Sequence, residues 1–379
     1  MTLLPSEPVP TPTPASPVRV GILGCVQGRV RYGSALPAVP ALQVVALADT
    51  DTRMMRSWKR EIGGAITILD DPEALWNPEL ALDAVLISAP VPARAAYIQA
   101  AAMAGLAILC DMPFSPTLAE SDAPLRAAKT QGVLLMPVLP RRFDPVFQTM
   151  AQRIAEEARE TGKQMRCDWS FPAYDHAQGD YEGAIGHGGG SALLQTIANQ
   201  TVDIGRWWLG EALAVSADLD DVATAGALVR ASQVPGRRQT SPSHIIVTHE
   251  RGYATHRLIR TPSVHTDERY VFHSSQGQVE LLANAGTTTH AFPLPALTLH
   301  RPGQRTELLP TLPSPADLSS SAFSRMARLL AHFADCVQNG NPPQVCGTDV
   351  RAAQEIVQAA YISTREGVKV TLPLHSASI

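Results

Sequence analysis

The sequence lacks three things that would narrow its function at once: paired cysteines, a surplus of basic charge and a long apolar run. Its five cysteines, Cys25, Cys110, Cys167, Cys336 and Cys346, lie far apart and form no CxxC pair. An odd, scattered set argues for reduced thiols rather than a disulfide framework. No metal-ligand spacing links them, so no metal site is expected. A formal net charge of -4 and a pI near 6.3 give no basis for binding nucleic acid or an anionic membrane. No apolar run reaches the roughly 20 residues that span a bilayer. The opening MTLLPSEPVPTPTPASP has neither the basic nor the apolar region of a signal peptide. Its prolines favour extended polyproline II, so residues 1–17 are expected to form a disordered or semi-rigid tail. A cytoplasmic protein is the expectation from these absences.

What is present is an ordinary globular balance, 45% apolar and 17% charged over 379 residues, long enough for two cores. VRVGILG (18–24), LQVVALA (42–48), AVLIS (84–88), AILC (107–110) and VLLMPV (133–138) read as apolar strands. Helices over 93–104 and 117–131 are closed by Gly105 and Gly132. Strands apolar on both faces, alternating with helices, specify a parallel sheet covered on both sides. Residues 18–140 are therefore expected to form a doubly wound Rossmann domain. Beyond Pro140 a helix over 145–160 leads to MRCDWSF, a glycine-rich loop at 186–190 and a helix over 191–209. HIIVTHE, YATHRLIR, RYVFHSS and QVELLA follow as consecutive short strands, the pattern of an antiparallel sheet. Helices over 322–339 and 349–366 close the chain. The expected class is α/β: a Rossmann sheet, then an α+β domain over 141–370 with a large, mostly antiparallel open sheet, and a tail at 371–379.

The first strand runs into Gly24-Cys25-Val26-Gln27-Gly28-Arg29. A dinucleotide fingerprint asks for glycine at 24, 26 and 29, and only Gly24 fits. In a loop one residue shorter, Gly28 serves as the third glycine. Val26 stands where a glycine would let the backbone approach a pyrophosphate. Asp49 ends the second strand, where a carboxylate binds ribose hydroxyls and repels a 2′-phosphate, so NAD is preferred over NADP. The alternative for Asp49 is a helix N-cap; for the whole turn it is a plain strand-to-helix connection.

Four stretches together resemble the glucose–fructose oxidoreductase / inositol dehydrogenase (Gfo/Idh/MocA) family. They are the opening strand-turn-helix, DAVLISAPVPARAAYIQAAAMAGLAILCDMPFSPTLAES, GVLLMPVLPRRFDPVF and GGGSALLQTIANQTVDIGRWWLG. FADCVQNGNPPQV and AAQEIVQAAYISTREGVKVTLP are similar to the family's closing helices. The resemblance implies a nicotinamide cofactor between the two domains and oxidation or reduction of a sugar, polyol or derivative. It also implies a homodimer or homotetramer packed through the open sheet. Gly24, Val26, Gln27, Gly28, Asp49, Ala89, Pro90, Arg94 and Asp111 are the expected cofactor contacts, with Arg94 where members often carry histidine.

The resemblance also sharpens the meaning of LCDMPF (109–114). Members end the fourth strand Glu-Lys-Pro, the lysine holding the substrate hydroxyl; here the triplet is Asp111-Met112-Pro113. A later motif, Asp-x-x-x-His-x-x-Asp, falls on Thr196, Gln200 and Asp203. Positions i and i+4 share a helix face, which lets the aspartate orient the histidine as general acid/base. Methionine and glutamine carry no such proton, and losing a positioned acid/base costs ~10²–10⁴-fold in rate. Met112, Thr196, Gln200 and Asp203 are thus catalytic positions mostly emptied of their chemistry.

His187, beside Gly188-Gly189-Gly190, is a candidate substitute donor, with Tyr174, Asp175, His176 and Tyr181 upstream; the alternative is surface loop. Arg141 and Arg142 could bind a ligand's carboxylate or phosphate, or form a hinge salt bridge. The histidines at 244, 249, 256, 265 and 273 read as solvated sheet positions. Three functions stay open: an oxidoreductase with altered catalytic groups, a degenerate member that binds a ligand or partner without turnover, and an accessory subunit whose sheet face pairs with an active relative.

Overall fold

The structure, a computed structural model, describes residues 16–156, 163–172, 192–219, 243–261, 267–275, 277–284, 296–309 and 321–374. Six parallel strands build the N-terminal sheet: β1 Val18–Leu23, β2 Leu42–Ala48, β3 Thr67–Leu69, β4 Ala84–Ile87, β5 Ala107–Cys110 and β6 Leu135–Pro137. Their spatial order, β3-β2-β1-β4-β5-β6, reverses between β1 and β4. That reversal opens a crevice at the carboxyl ends of the strands, the usual ligand position in such sheets. β4 is buried at every residue because helices cover both faces. The covering helices are α1 Cys25–Tyr32, α2 Thr52–Ile62, α3 Val91–Met103 and α4 Leu118–Gln131.

The doubly wound domain agrees with the sequence reading, with one strand more. β3 was missed because TIL is only three residues long and none of them is fully buried. The first helix ends at Tyr32, and a separate 3₁₀ turn covers Leu36–Ala38.

Helix α5, Pro145–Glu156, leads into the second domain, where α6, Ala192–Leu209, packs on a sheet of nine described strands. These are β7 Lys163–Pro172, β8 Ala212–Asp218, β9 Ser243–His249, β10 Gly252–Thr261, β11 Asp267–Ser274, β12 Gly277–Asn284, β13 Ala296–His300, β14 Glu307–Leu309 and β15 Val370–Thr371. β7 and β10 pair in parallel and the other neighbours antiparallel. On β9, Ser243, Ile245, Val247 and His249 are buried, while Ile246 is 45% exposed on the opposite face. Among the described residues, β9 thus has one buried face and one exposed face.

The boundary drawn at residue 370 needs correcting. Val370 and Thr371 pair with Val215 and Ala214, and Leu374 is buried with its N–H donating to Glu355 Oε1 at 3.0 Å. Residues 371–374 therefore extend the sheet domain rather than opening a tail. The closing helices are also not confined to the second domain. In α7, Ser321–Asn339, residues Leu329, Leu330 and Phe333 join the same apolar core as Ile22 and Leu47. In α8, Gly347–Glu366, Gln354 donates to the Ser115 carbonyl at 3.0 Å and accepts from Ser121 Oγ at 2.6 Å. Arg351 adds an ion pair to Asp122 at 2.7 Å. Those polar contacts fix α8 against the Rossmann domain.

Candidate active site

The crevice begins at the β1–α1 turn. Gly24 adopts φ +85°, and a Cβ there would lie 2.5 Å from the Ser88 carbonyl carbon and 2.7 Å from Ala89 N. Only glycine allows this approach between the turn and the end of β4. A Cβ on Gly28 would meet Ile22 at 3.3 Å and Trp58 at 3.4 Å, so Gly28 sets the packing of α1 on the sheet. That is the third-glycine duty, reached in a loop one residue shorter.

Asp49 turns back onto this helix. Its Oδ2 accepts from the backbone N–H of Cys25 at 2.6 Å and of Val26 at 3.3 Å, while Oδ1 accepts from Asp51 N–H at 3.0 Å. The cap of α2 is Asp51, whose carboxylate accepts from Met54 N–H at 2.9 Å. Asp49 thus caps α1 across the sheet rather than its own helix, stabilised by the helix dipole. Burial, then the nearby Asp49 charge, pushes the Cys25 thiol up to about 12.

A cleft of about 400 Å³ lies over this turn. Gly24, Val26, Gln27, Asp49, Ala89, Pro90 and Arg94 line it, joined by Thr50, Pro72 and Tyr97, which sequence reasoning missed. Tyr97 was within reach of periodicity, one turn beyond Arg94 on the same face of α3. Gly28 lies behind the cleft wall. The lining suits a nucleoside: a glycine turn admits close backbone approach, and a strand-end carboxylate stands ready for hydroxyls. Its first helical N–H groups, however, are already satisfied by Asp49.

Asp111 is not part of the lining and corrects the sequence reading. Its carboxylate is wholly buried, accepting from Tyr32 Oη at 3.0 Å and pairing with Arg31 Nε at 3.0 Å. Burial and the Asp111 charge hold the Tyr32 hydroxyl protonated, so it serves as a fixed donor. Asp111 anchors α1 beneath the cleft.

Met112 is 3% exposed and belongs to the main apolar core beside Phe114. Arg94 is 1% exposed; its Nε donates to the Ala89 carbonyl at 2.7 Å and its Nη1 to the Pro113 carbonyl at 2.9 Å. It staples the loop after β5 to the end of β4.

On α6, Gln200 Oε1 accepts a hydrogen bond from Arg141 Nη1. Arg141 also grips Glu268 through Nε at 2.6 Å and Nη2 at 2.8 Å, and Tyr270 Oη donates to the same carboxylate. Burial works against the Arg141 charge, but Glu268 more than offsets it and holds the guanidinium above its ordinary pKa. An arginine offers only donors; the glutamine carbonyl complements it where a protonated imidazole would be repelled. Asp203 accepts from Arg142 Nε at 2.9 Å and Nη2 at 2.7 Å. Arg206 stands 3.9 Å from Asp203 and 3.4 Å from Asp349, and Arg142 lies 5.1 Å from the Trp207 ring centroid. Of the two roles open for Arg141 and Arg142, the bridge between domain segments is the one observed.

Thr196 lies on α6 with its side chain outside the described residues; His187, Tyr174, Asp175, His176 and Tyr181 lie outside them entirely. Among the described residues no group of three or more metal-ligating side chains occurs, and no helix is long and apolar enough to cross a membrane. His249 and His256, read as solvated, are buried beneath α6 instead. A Cβ on Gly205 would come within 3.1 Å of His249 Nε2 and 3.5 Å of His256. Mixed strand parity hid them, because Gly252 begins a new strand between the two.

Residues 18–138 match the model of an oxidoreductase family with an NAD-binding Rossmann fold. The chain is 25% identical to the D-apiose dehydrogenase of Paraburkholderia graminis over 96% of this chain and 92% of that one. It is 27% identical to the scyllo-inositol 2-dehydrogenase (NAD(+)) of Bacillus subtilis over 95% of this chain and 98% of the relative. An oxidoreductase from Agrobacterium radiobacter, solved with NAD+, L-tartaric acid and magnesium, superposes with TM-score 0.73 at 19% identity. That match covers 94% of this chain and 98% of the other, and shows the fold. Its Rossmann domain, residues 18–138, is thus that of the Gfo/Idh/MocA oxidoreductase family, and over nearly its whole length the chain is similar to these sugar and inositol dehydrogenases.

Proposed function

We propose that the protein is a nicotinamide-dependent oxidoreductase of a sugar, polyol or derivative whose proton handling has left the family positions. The observation that carries this reading is the cleft over Gly24 and Asp49, flanked by Gln27, Ala89 and Pro90. Those residues would hold the nucleoside end of the cofactor, which supplies hydride transfer when bound. The Asp49 carboxylate would disfavour a 2′-phosphate, which supports NAD over NADP. Met112, Thr196 and Gln200 give no acid or base near neutral pH, Gln200 being engaged with Arg141. Asp203 is committed to Arg142. His187, outside the described residues, is the proposed substitute donor.

The Gln200–Arg141–Glu268 contacts favour a second reading, in which the cleft binds ligand without turnover. The open sheet face, with Ile246 45%, Tyr253 40% and Leu282 40% exposed, supports a homodimer or homotetramer. Light scattering would report the assembly. The functional test is nicotinamide absorbance during incubation with a panel of aldoses, inositols and sugar acids. Turnover that disappears in His187→Ala supports the first reading. Cofactor binding with no turnover on any of them supports the second.

A further inference from the structure

Four arginines in the described structure have largely covered side chains and a carboxylate partner. Arg141 pairs with Glu268 at 2.6 Å, Arg142 with Asp203 at 2.7 Å, Arg206 with Glu211 at 2.8 Å and Arg325 with Asp144 at 3.7 Å. Arg94 is more deeply covered than any of them, at 1% exposure, and pairs with no carboxylate among the described residues. Two carbonyls hold its Nε and Nη1, and its Nη2 makes no hydrogen bond there. A buried cation normally keeps a counter-charge because desolvation is costly.

The surroundings add to the imbalance. Arg94 lies in the first turn of the 13-residue helix α3, whose N-cap, Pro90, offers no side-chain cap and whose first turn has no acidic residue. The positive end of a helix dipole and a guanidinium therefore meet at one wall of the cleft. At the other wall the α1 N–H groups are spent on Asp49, itself negative. Negative charge therefore stands at the start of α1 and positive charge at the start of α3.

We propose that Arg94 and the start of α3 form the oxyanion seat of this cleft, taking the duty that a strand–glycine–helix turn ordinarily gives to α1. The oxyanion is a nucleotide phosphate or a sugar-acid carboxylate, with the ligand's hydroxyl-bearing part toward Asp49. Nη2 donates to it while Nε and Nη1 keep the guanidinium in place, a charge-assisted bond with preset geometry. The proposal rests on the nucleotide-cleft reading above and deepens it.

Calorimetric titration of the full chain tests it without needing turnover. One arm compares adenosine with AMP and ADP-ribose; the other compares glucose with gluconate, with ADP-ribose present and absent. In at least one arm the anionic member should bind about tenfold tighter or better, as a charge-assisted bond warrants. The advantage should shrink as salt rises and vanish in Arg94→Gln. The arm that responds identifies the source of the oxyanion. Equal binding of charged and neutral members in both arms overturns the seat, as does an advantage that survives in Arg94→Gln. Should Arg94→Gln fail to fold for want of its two carbonyl bonds, the wild-type comparison alone decides. Adenosine binding with no gain from phosphate or carboxylate removes the seat and leaves the nucleotide cleft. Failure of every nucleotide and of gluconate to bind removes both.

Discussion

Asp49 Oδ2 sits 2.6 Å from Cys25 N, so a side chain at the end of the second strand caps the first helix. The same oxygen reaches Val26 N at 3.3 Å. Asp49→Ala leaves both N–H groups to water and should cost about 1 kcal/mol, a typical capping loss, measured by urea denaturation. Asp49→Asn keeps an acceptor in place and should cost less.

Thiol reactivity follows from burial. The Cys25 thiol is pushed up to about 12, and burial also raises Cys110 and Cys167. A thiolate is the reactive form. Short treatment of the native protein with iodoacetamide should modify Cys346, the one partly exposed cysteine, and spare the rest. Mass spectrometry of peptides reads the outcome.

Arg142 and Asp203 tie the segment after β6 to α6 by two hydrogen bonds, with Asp203 1% exposed. Removing one member of such a pair strands the other. Asp203→Ala should therefore cost about 3 kcal/mol, the lower end for a buried pair because Asp349 stands 4.0 Å from Arg142. Removing both in Arg142→Met with Asp203→Leu should cost less than the sum of the single changes, as a double-mutant cycle would record.

Acid should weaken the second domain through His249 and His256. Burial lowers His249 to about 4, with Gly210 O its hydrogen-bond acceptor at 2.8 Å and Arg206 and Glu211 the charges facing it. Burial, with His249 second, lowers His256 to about 3. Both fold neutral, and the unfolded chain binds their protons first. Stability is therefore full above pH 6.5 and falls as pH drops toward 4, by about 1.4 kcal/mol per pH unit for each histidine. Urea midpoints at pH 7.5 and 5.0 should differ, and the difference should shrink in His256→Leu.

Much of this was legible in the sequence because parallel strands buried on both faces read as unbroken apolar runs. Ala84–Ile87 is such a run, Val18–Leu23 is one apart from Arg19, and their ends fix where the cleft opens. Gly24 and Asp49 could be placed at the cleft from spacing alone. What spacing could not give was direction. Asp111 follows the same strand ends yet turns under α1 to Tyr32, and Arg94 lies buried although arginine seldom is. The partners of Gln200 and Asp203, Arg141 and Arg142, lie about sixty residues away in sequence. Their pairing is a property of the fold.

Met112 fills core space and does no chemistry in this account. Met112→Leu conserves volume, so stability should change by less than about 1.5 kcal/mol and any turnover should persist. Met112→Lys puts an ammonium into apolar surroundings and should lower the melting temperature without creating activity. A loss of turnover in Met112→Leu at unchanged stability would assign the sulfur a role.

Cofactor titration of the full chain tests the proposed nucleotide cleft over Gly24 and Asp49 most directly. Following tryptophan fluorescence and melting temperature, NAD should quench saturably and raise the transition by a few degrees once well above its dissociation constant. NADP should do so less. Neither signal moving at millimolar NAD would contradict the account.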